Sequence, residues 1–473
     1  MTRFRTLFVA LVLVSAVATP AHAGGFLTAL FAGEEGHVTT SHPSAAYYNP
    51  AGLALRGGNR FVLEGSAGYR SVGYDRPVEA IDNPTASANQ GGTPEDARSA
   101  NSGHAELQNA VLVPFAAAAT DFGMRNFGFG VSFSVPFGGS ADFGKNDEYA
   151  GNGAYAGAVD GVQRWSIING TVQATYLTVA AAYYIPALRV SIGGGWNFVQ
   201  QKIDVLRARN LASTDDLIDS SGDIVEGRAL IEATDNRGMS FGAGLIYEPS
   251  DNLRLGLSYQ GQPNFGKSTL KGTLTSKIGT GEETKTPIVL EQSLPDIIRV
   301  GGSYRASSKL ELRAEFDYQR WSVFNRQCVL DATMPERRCD VQSNGAPAPT
   351  GVGITANLDR RWKNSIALRG GASYLLTPTV VLMGGVSYDA NAVPDSTLDA
   401  SFVDSNKVLV TPEVRVQVTP DLALAARWTQ VFCAKRTTTA DAEATMAPTR
   451  VPSSRGTYTQ SAGLFTLSAE YGF

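Results

Sequence analysis

The chain ends in Ser461-Ala462-Gly463-Leu464-Phe465-Thr466-Leu467-Ser468-Ala469-Glu470-Tyr471-Gly472-Phe473. In an extended strand, successive side chains point to opposite faces. One face of this stretch therefore carries Ser461, Gly463, Phe465, Leu467, Ala469, Tyr471 and Phe473. The other carries Ala462, Leu464, Thr466, Ser468, Glu470 and Gly472. The chain closes on an aromatic residue, with aromatic and apolar residues spaced by two before it.

The same alternation recurs upstream. Phe127, Phe129, Val131, Phe133 and Val135 alternate with Gly128, Gly130, Ser132, Ser134 and Pro136. Leu253, Leu255, Leu257 and Tyr259 alternate with Arg254, Gly256, Ser258 and Gln260. Leu310, Leu312, Ala314, Phe316 and Tyr318 alternate with Glu311, Arg313, Glu315, Asp317 and Gln319. Alternation alone fits a soluble sandwich with its apolar face inward, or a membrane barrel with that face outward. The connections separate the two. Short turns near 120–125, 185–188, 248–251, 306–309, 376–379 and 418–421 alternate with long polar stretches near 72–104, 138–162, 207–227, 276–285, 325–361, 391–406 and 435–456. This layout predicts an all-β fold: a transmembrane antiparallel β-barrel of about fourteen strands with short turns on one side and long loops on the other. The final strand resembles the terminal strand of outer-membrane barrels, whose aromatic ending is read by the barrel insertion machinery.

The N-terminus agrees with export. Arg3 and Arg5 precede an apolar run, Leu7 to Val17, and Ala21-His22-Ala23 forms a small-x-small cleavage site. The run is too short and wrongly flanked for an anchor, the competing reading. Residues 1–23 are expected to be a signal peptide, 24–59 a small helical and coil hatch, and 60–473 the barrel. Mean hydropathy is −0.09, as expected when apolar and polar residues alternate. A net charge of −4 argues against a nucleic-acid partner. Three cysteines exclude a disulfide scaffold. Cys328 and Cys339 fall in a stretch read as an outer loop, where they form a local disulfide, two free thiols, or metal ligands without partners. No metal cluster or nucleotide-binding motif stands out, and no cofactor is expected. Gly193-Gly194-Gly195 lies inside an alternating strand and reads as close packing or a strand bend.

Residues 24–60 do not alternate. They contain Ser44-Ala45-Ala46-Tyr47-Tyr48-Asn49-Pro50-Ala51-Gly52-Leu53-Ala54. This run resembles the Asn-Pro-Ala-Gly signature of the FadL/TodX family of outer-membrane hydrophobic-compound transporters. Leu294-Pro295-Asp296, the run Asp317-Tyr318-Gln319-Arg320-Trp321-Ser322-Val323-Phe324, and Val393-Pro394-Asp395 resemble further landmarks in the family's order. The run Gly33-Glu34-Glu35-Gly36-His37-Val38-Thr39-Thr40 departs from it, being more polar than the family's Gly/Ala-rich stretch.

The resemblance implies a monomeric barrel in the Gram-negative outer membrane with its hatch at the periplasmic end. It implies capture of a hydrophobic small molecule, a long-chain fatty acid first and an aromatic hydrocarbon as the alternative, with lateral exit near the hatch. The implied surroundings are outer-membrane lipid and lipopolysaccharide. Asn49, Pro50, Ala51 and Gly52 are the candidate gate residues; the competing reading is that Asn49 caps a short helix that Pro50 begins. Phe26, Leu27, Leu30 and Phe31 are candidate ligand contacts, or simple hatch packing. Lumen-facing Arg254, Arg299, Glu311, Arg313, Glu315, Asp317, Arg369, Arg427 and Glu470 read mainly as salt-bridge ladders. A lipid-acting outer-membrane enzyme is the rival class. It needs a nucleophile and base within reach, and beyond the signal only His37, His42 and His104 occur, so no enzyme is expected.

Overall fold

The computed structural model describes residues 31–340, 351–440 and 452–473. The expected signal peptide and the candidates Phe26, Leu27 and Leu30 lie outside the described residues. Fourteen antiparallel strands close into one barrel. They are β1 (Arg60–Arg76), β2 (Gly103–Thr120), β3 (Phe127–Asp142), β4 (Asn169–Ile185), β5 (Val190–Arg209) and β6 (Gly227–Ser250). Four broken strands follow: β7 (Leu253–Gln260 and Ser268–Ile278), β8 (Thr284–Gln292 and Ile297–Arg305), β9 (Leu310–Gln319 and Arg326–Asp331) and β10 (Ile354–Asp359 and Ser365–Thr377). The last are β11 (Val380–Asp389), β12 (Lys407–Gln417), β13 (Leu422–Cys433) and β14 (Thr457–Gly472). β14 pairs with β1 from Arg60↔Gly472 to Asp75↔Thr457, which removes both sheet edges.

The faces are assigned opposite to those of a soluble protein. Phe465, Leu467 and Tyr471 of β14 are exposed, while Leu464, Thr466 and Glu470 are buried. On β5, Ile192, Trp196 and Phe198 face out and Ser191, Asn197 and Gln201 face in. Such an apolar outer band is stable only against lipid.

The four breaks sit side by side and have local causes. Pro263 and Pro295 lack the N–H a ladder needs. Asp296, in the β8 break, accepts from the Tyr259 hydroxyl of β7 at 3.0 Å and takes the Arg320 guanidinium of β9 on both oxygens at 2.7 and 3.1 Å. The β9 and β10 breaks turn large side chains inward, so Trp321, Phe324 and Trp362 are buried in the lumen, while Phe265 of the β7 break stays exposed. The breaks also correct one sequence expectation. The 325–361 stretch is not wholly loop, because Arg326–Asp331 and Ile354–Asp359 are upper strand segments. Cys328 therefore stands on a strand, disulfide-bonded to Cys339 in the following connection with a Cα–Cα distance of 6.1 Å.

The wall has one poorly joined seam. β2 and β3 pair only from Ala116↔Phe133 to Thr120↔Phe129. Beyond that, among the described residues, the two strands turn to their other neighbours until Leu107 bridges Phe143. Between these points the Asn109 side chain spans the seam, donating to the Ser140 carbonyl at 3.2 Å and meeting its hydroxyl at 3.1 Å, and Arg70 of β1 reaches the same carbonyl at 3.5 Å. Pro114 and Pro136 stand on the two parted strands, and β3 bulges between Ser134 and Phe137.

Candidate functional site

The short-turn half of the lumen is filled by the segment from Phe31 to Leu55. A four-residue helix, Ala45–Tyr48, ends at Asn49, whose backbone is extended (φ −159°). Pro50 then starts a 3-10 helix, Pro50–Leu55, and Asn49 Oδ1 caps it by accepting from the Ala51 N–H at 3.2 Å. The capping reading of this pair is thus present, but Asn49 does more. Its amide donates to the Val38 carbonyl at 2.7 Å and to the carbonyls of Leu245 on β6 and Leu257 on β7 at 3.2 and 3.4 Å.

Wall glycines make this contact possible. A Cβ on Gly244 would lie 1.7 Å from Asn49 Oδ1. One on Gly193 would lie 2.4 Å from the Ala51 nitrogen, and one on Gly128 2.2 Å from the Leu53 carbonyl oxygen. Gly256 and Gly301 receive Val38, while Gly371 and Gly385 receive the Glu34 carboxylate. Gly193 is therefore a close-packing glycine. Gly52 is one too, since its Cβ would meet the Thr40 carbonyl oxygen at 1.9 Å.

Charges hold the segment's other flank. Glu34 pairs with Arg313 at 3.2 Å, and Glu35 with Arg415 at 3.0 Å. The N–H groups of Ala32, Glu34 and Val38 donate to Glu64, Glu413 and Glu315. Arg427 pairs with Glu64 at 2.9 Å, Arg369 with Asp317 at 3.1 Å and Arg254 with Glu248 at 2.8 Å. Arg299 lies over the rings of Tyr47 and Tyr48 at 5.2 and 5.3 Å. Burial pushes the His42 imidazole below its ordinary range, against the pull of Glu470 and Glu35. Burial and then Arg313 push His37 down to about 3. Glu35 is held at about 2: burial opposes its charge, and Arg415 with the two histidines outweighs burial.

Above the segment runs an unbroken file of aromatic rings. Phe402 meets Trp362 at 5.9 Å, and Trp362 meets Trp321 at 4.9 Å. Trp321 meets Phe137 of β3 at 5.8 Å, and Phe137 meets Tyr176 of β4 at 6.2 Å. Tyr176 meets Tyr47 at 6.4 Å, Tyr47 meets Phe31 at 5.5 Å, and Phe31 stacks on Phe115 of β2 at 5.4 Å. Phe137 and Phe115 stand on the two strands that part at the seam. The file thus joins the broken-strand level to the weak point of the wall.

At the head of the file is a polar pocket whose lining includes Arg207, Arg360, Asp359, Asp399, Thr397 and Ser401. Arg360 lies 4.6 Å over the Phe402 ring and is neutralised by Asp399 at 2.8 Å. Arg207 is 8% exposed, and its Nε has no hydrogen-bond partner. Among the described residues Arg207 makes no ion-pair contact, so this buried guanidinium keeps donor capacity toward the pocket.

The structure places Asn49, Pro50 and Ala51 against β5, β6 and β7, not at the seam between β2 and β3. Phe31 and Tyr47 stand behind the seam instead. The expected salt-bridge role of the lumen charges matches Arg254, Glu311, Arg313, Asp317, Arg369, Arg427 and Glu470, whereas Glu315 accepts the Val38 N–H and Arg299 lies over the tyrosine rings. His42 does meet the Ser44 hydroxyl at 3.0 Å and Glu470 at 3.9 Å, but Ser44 is 0% exposed and cannot reach a substrate. His104 pairs with Asp75 on the outer wall. No metal-ligating cluster occurs among the described residues. Sequence reading missed Arg207, Phe115, Phe137 and the seam. The available signal for the seam was Pro114 and Pro136 within strand-like runs.

Comparison with known proteins agrees with this architecture. Residues 14–473 match the family described as outer membrane protein transport protein (OMPP1/FadL/TodX). A FadL homologue from Pseudomonas aeruginosa superposes with a TM-score of 0.75 at 16% identity, covering 95% of this chain and 100% of that one. The Ralstonia pickettii toluene transporter TbuX gives 0.61 at 14% identity, covering 95% and 97%. The Pseudomonas putida toluene transporter TodX gives 0.59 at 13%, covering 95% and 98%. A "47 kDa outer membrane protein" of Pasteurella multocida (strain Pm70) is 22% identical over 213 residues, 43% of this chain and 45% of that protein. The chain thus spans less than half the length of this curated relative. With family and fold in agreement over nearly the whole chain, this protein belongs to the OMPP1/FadL/TodX family, as a multi-pass outer-membrane β-barrel.

Proposed function

We propose that the transported compound is a long-chain fatty acid. The supporting observation is Arg207, a buried arginine that lines a polar pocket at the head of an apolar file and makes no ion-pair contact among the described residues. A fatty acid matches both features. Its carboxylate gains charge-assisted hydrogen bonds from the guanidinium. Its tail gains about 0.8 kcal/mol for each methylene removed from water. A hydrocarbon uses only the second feature. In this reading the ligand enters through the long outer loops, seats its headgroup at Arg207 and passes along Trp362, Trp321, Phe137 and Tyr176. It leaves sideways between β2 and β3 without entering the periplasm. Residues 24–59 act as the hatch that closes the axial route after residues 1–23 are removed. Asn49, Pro50, Ala51 and Gly52 pin the hatch to the wall, and Phe31 and Tyr47 form the inner face of the exit.

The test is uptake of radiolabelled oleate and of toluene by cells lacking their own outer-membrane carriers. Oleate uptake reduced at least tenfold in Arg207→Gln, with the barrel correctly inserted, supports the reading. Toluene uptake alone, indifferent to Arg207, assigns the hydrocarbon instead, a reading favoured by the aromatic lining. Uptake of neither removes both.

A further inference from the structure

We infer that the outer wall of β5, β6 and β7 carries a binding strip for the phosphates of the glycolipid that fills the outer leaflet. The inference concerns the lipid-facing surface and does not depend on what the lumen carries. The strip begins at the apolar band. Trp196 pairs in register with Phe241, and Phe198 with Met239. All four side chains are exposed on the outer face. Aromatic rows of this kind mark the membrane–water boundary.

Four residues farther along β5, toward the long loops, the outward side chain is Lys202. Lys202 pairs with Thr234 of β6, and Thr234 pairs with Lys271 of β7. Three adjacent strands thus present Lys-Thr-Lys in one row. Strands lie about 4.8 Å apart, so the two lysines stand roughly 10 Å apart with a hydroxyl between them. Both ammonium groups and the threonine hydroxyl can converge on one phosphate. Arg237 is exposed on β6 just below this row, nearer the hydrocarbon. Lysine and arginine stems lie along apolar surface while their heads reach the interface, which suits a phosphate at this depth.

The row above has the opposite sign. Asp204 pairs in register with Glu232, and both face outward. These carboxylates repel a phosphate from any higher position and so confine it to the lysine row. Lys202 also reaches Asp204 at 3.7 Å, but both groups are solvated and such a contact is weak. The strip contrasts with the opposite wall: at the corresponding height on β1 and β2 the outward residues are Asp75, His104, Glu106 and Gln108, with no lysine or arginine among them.

The test is native mass spectrometry of the purified barrel in detergent, titrated with bisphosphorylated lipid A, dephosphorylated lipid A or phosphatidylglycerol. The wild-type barrel is expected to hold bisphosphorylated lipid A at least tenfold more tightly than either comparator. The Lys202→Gln/Lys271→Gln double variant is expected to lose that preference, while Lys435→Gln, on another part of the surface, keeps it. Heat-modifiable gel migration establishes that each variant barrel is closed. Equal binding of the dephosphorylated lipid overturns the inference using the wild-type protein alone. So does equal binding of phosphatidylglycerol, or an undiminished preference in the double variant.

Discussion

The Asn49 side chain occupies the space that a Cβ on Gly244 would fill, with its Oδ1 only 1.7 Å from that position. This contact joins the N-terminal segment to the barrel wall through backbone. The Asn49 amide reaches the carbonyls of Leu245 and Leu257, which face each other across β6 and β7. The wall supplies no side chain here, and the glycine is what admits the asparagine.

Gly244→Ala is therefore expected to unseat the segment while leaving the barrel closed. Overpacking of this kind costs about 1–3 kcal/mol. Hydrogen exchange over residues 31–55 should rise and single-channel conductance should increase. Gly370→Ala is the control, because its Cβ meets nothing within 4 Å.

Asn49→Asp should be more damaging than Asn49→Ala. Alanine removes the cap and three donated hydrogen bonds, about 2–4 kcal/mol together. Aspartate keeps an acceptor for the Ala51 N–H but turns a carboxylate oxygen toward three carbonyls. Limited proteolysis of the segment ranks the two variants, and the reverse order would refute this account of the contact.

Closing the seam should stop transport. In a Cys433→Ser background, Asn109→Cys with Ser140→Cys places two thiols where the side chains already meet at 3.1 Å. Oxidation is expected to reduce uptake of the hydrophobic substrate at least tenfold, and reductant to restore it. Wild-type protein with the same reductant controls for the native Cys328–Cys339 bond. Full uptake by the crosslinked barrel would rule out exit between β2 and β3.

Acidification should loosen the segment. His42 and His37 both have folded-state pKa values below the unfolded value of 6.5, so the seated segment disfavours their protonation. Their contribution is complete above pH 6.5 and is lost as pH falls below it, by up to about 1.4 kcal/mol per histidine per pH unit. For His37 the loss runs down to about pH 3. Glu35, held near 2, adds a further loss below about pH 4.5. Protection of residues 31–55 against hydrogen exchange, taken relative to the intrinsic rate at each pH, should therefore be lower at pH 5 than at pH 7.5. His42→Gln should flatten that difference, and an unchanged difference would refute the assignment to His42.

The sequence by itself determined the barrel. Strand alternation is a local property, readable in Phe465-Thr466-Leu467 without knowledge of any partner, because adjacent side chains must point to opposite faces. The short and long connections set the strand order, and Asn49-Pro50 announced a cap that residues two apart are enough to form. What only the tertiary structure decided depends on residues far apart in the chain. Gly244 becomes a seat because Asn49, 195 positions earlier, arrives opposite it. Arg313 becomes an anchor because Glu34 does. The aromatic file needs Phe31, Phe137, Tyr176, Trp321 and Trp362 from five separate elements, brought together only when β14 closes on β1. Arg207 stands at the edge of a stretch that reads as a loop, and only the closed barrel shows it buried on β5 beside Arg360. Local sterics set the direction in which each side chain points, but the residue it meets across the lumen is set by the closed path of the whole chain.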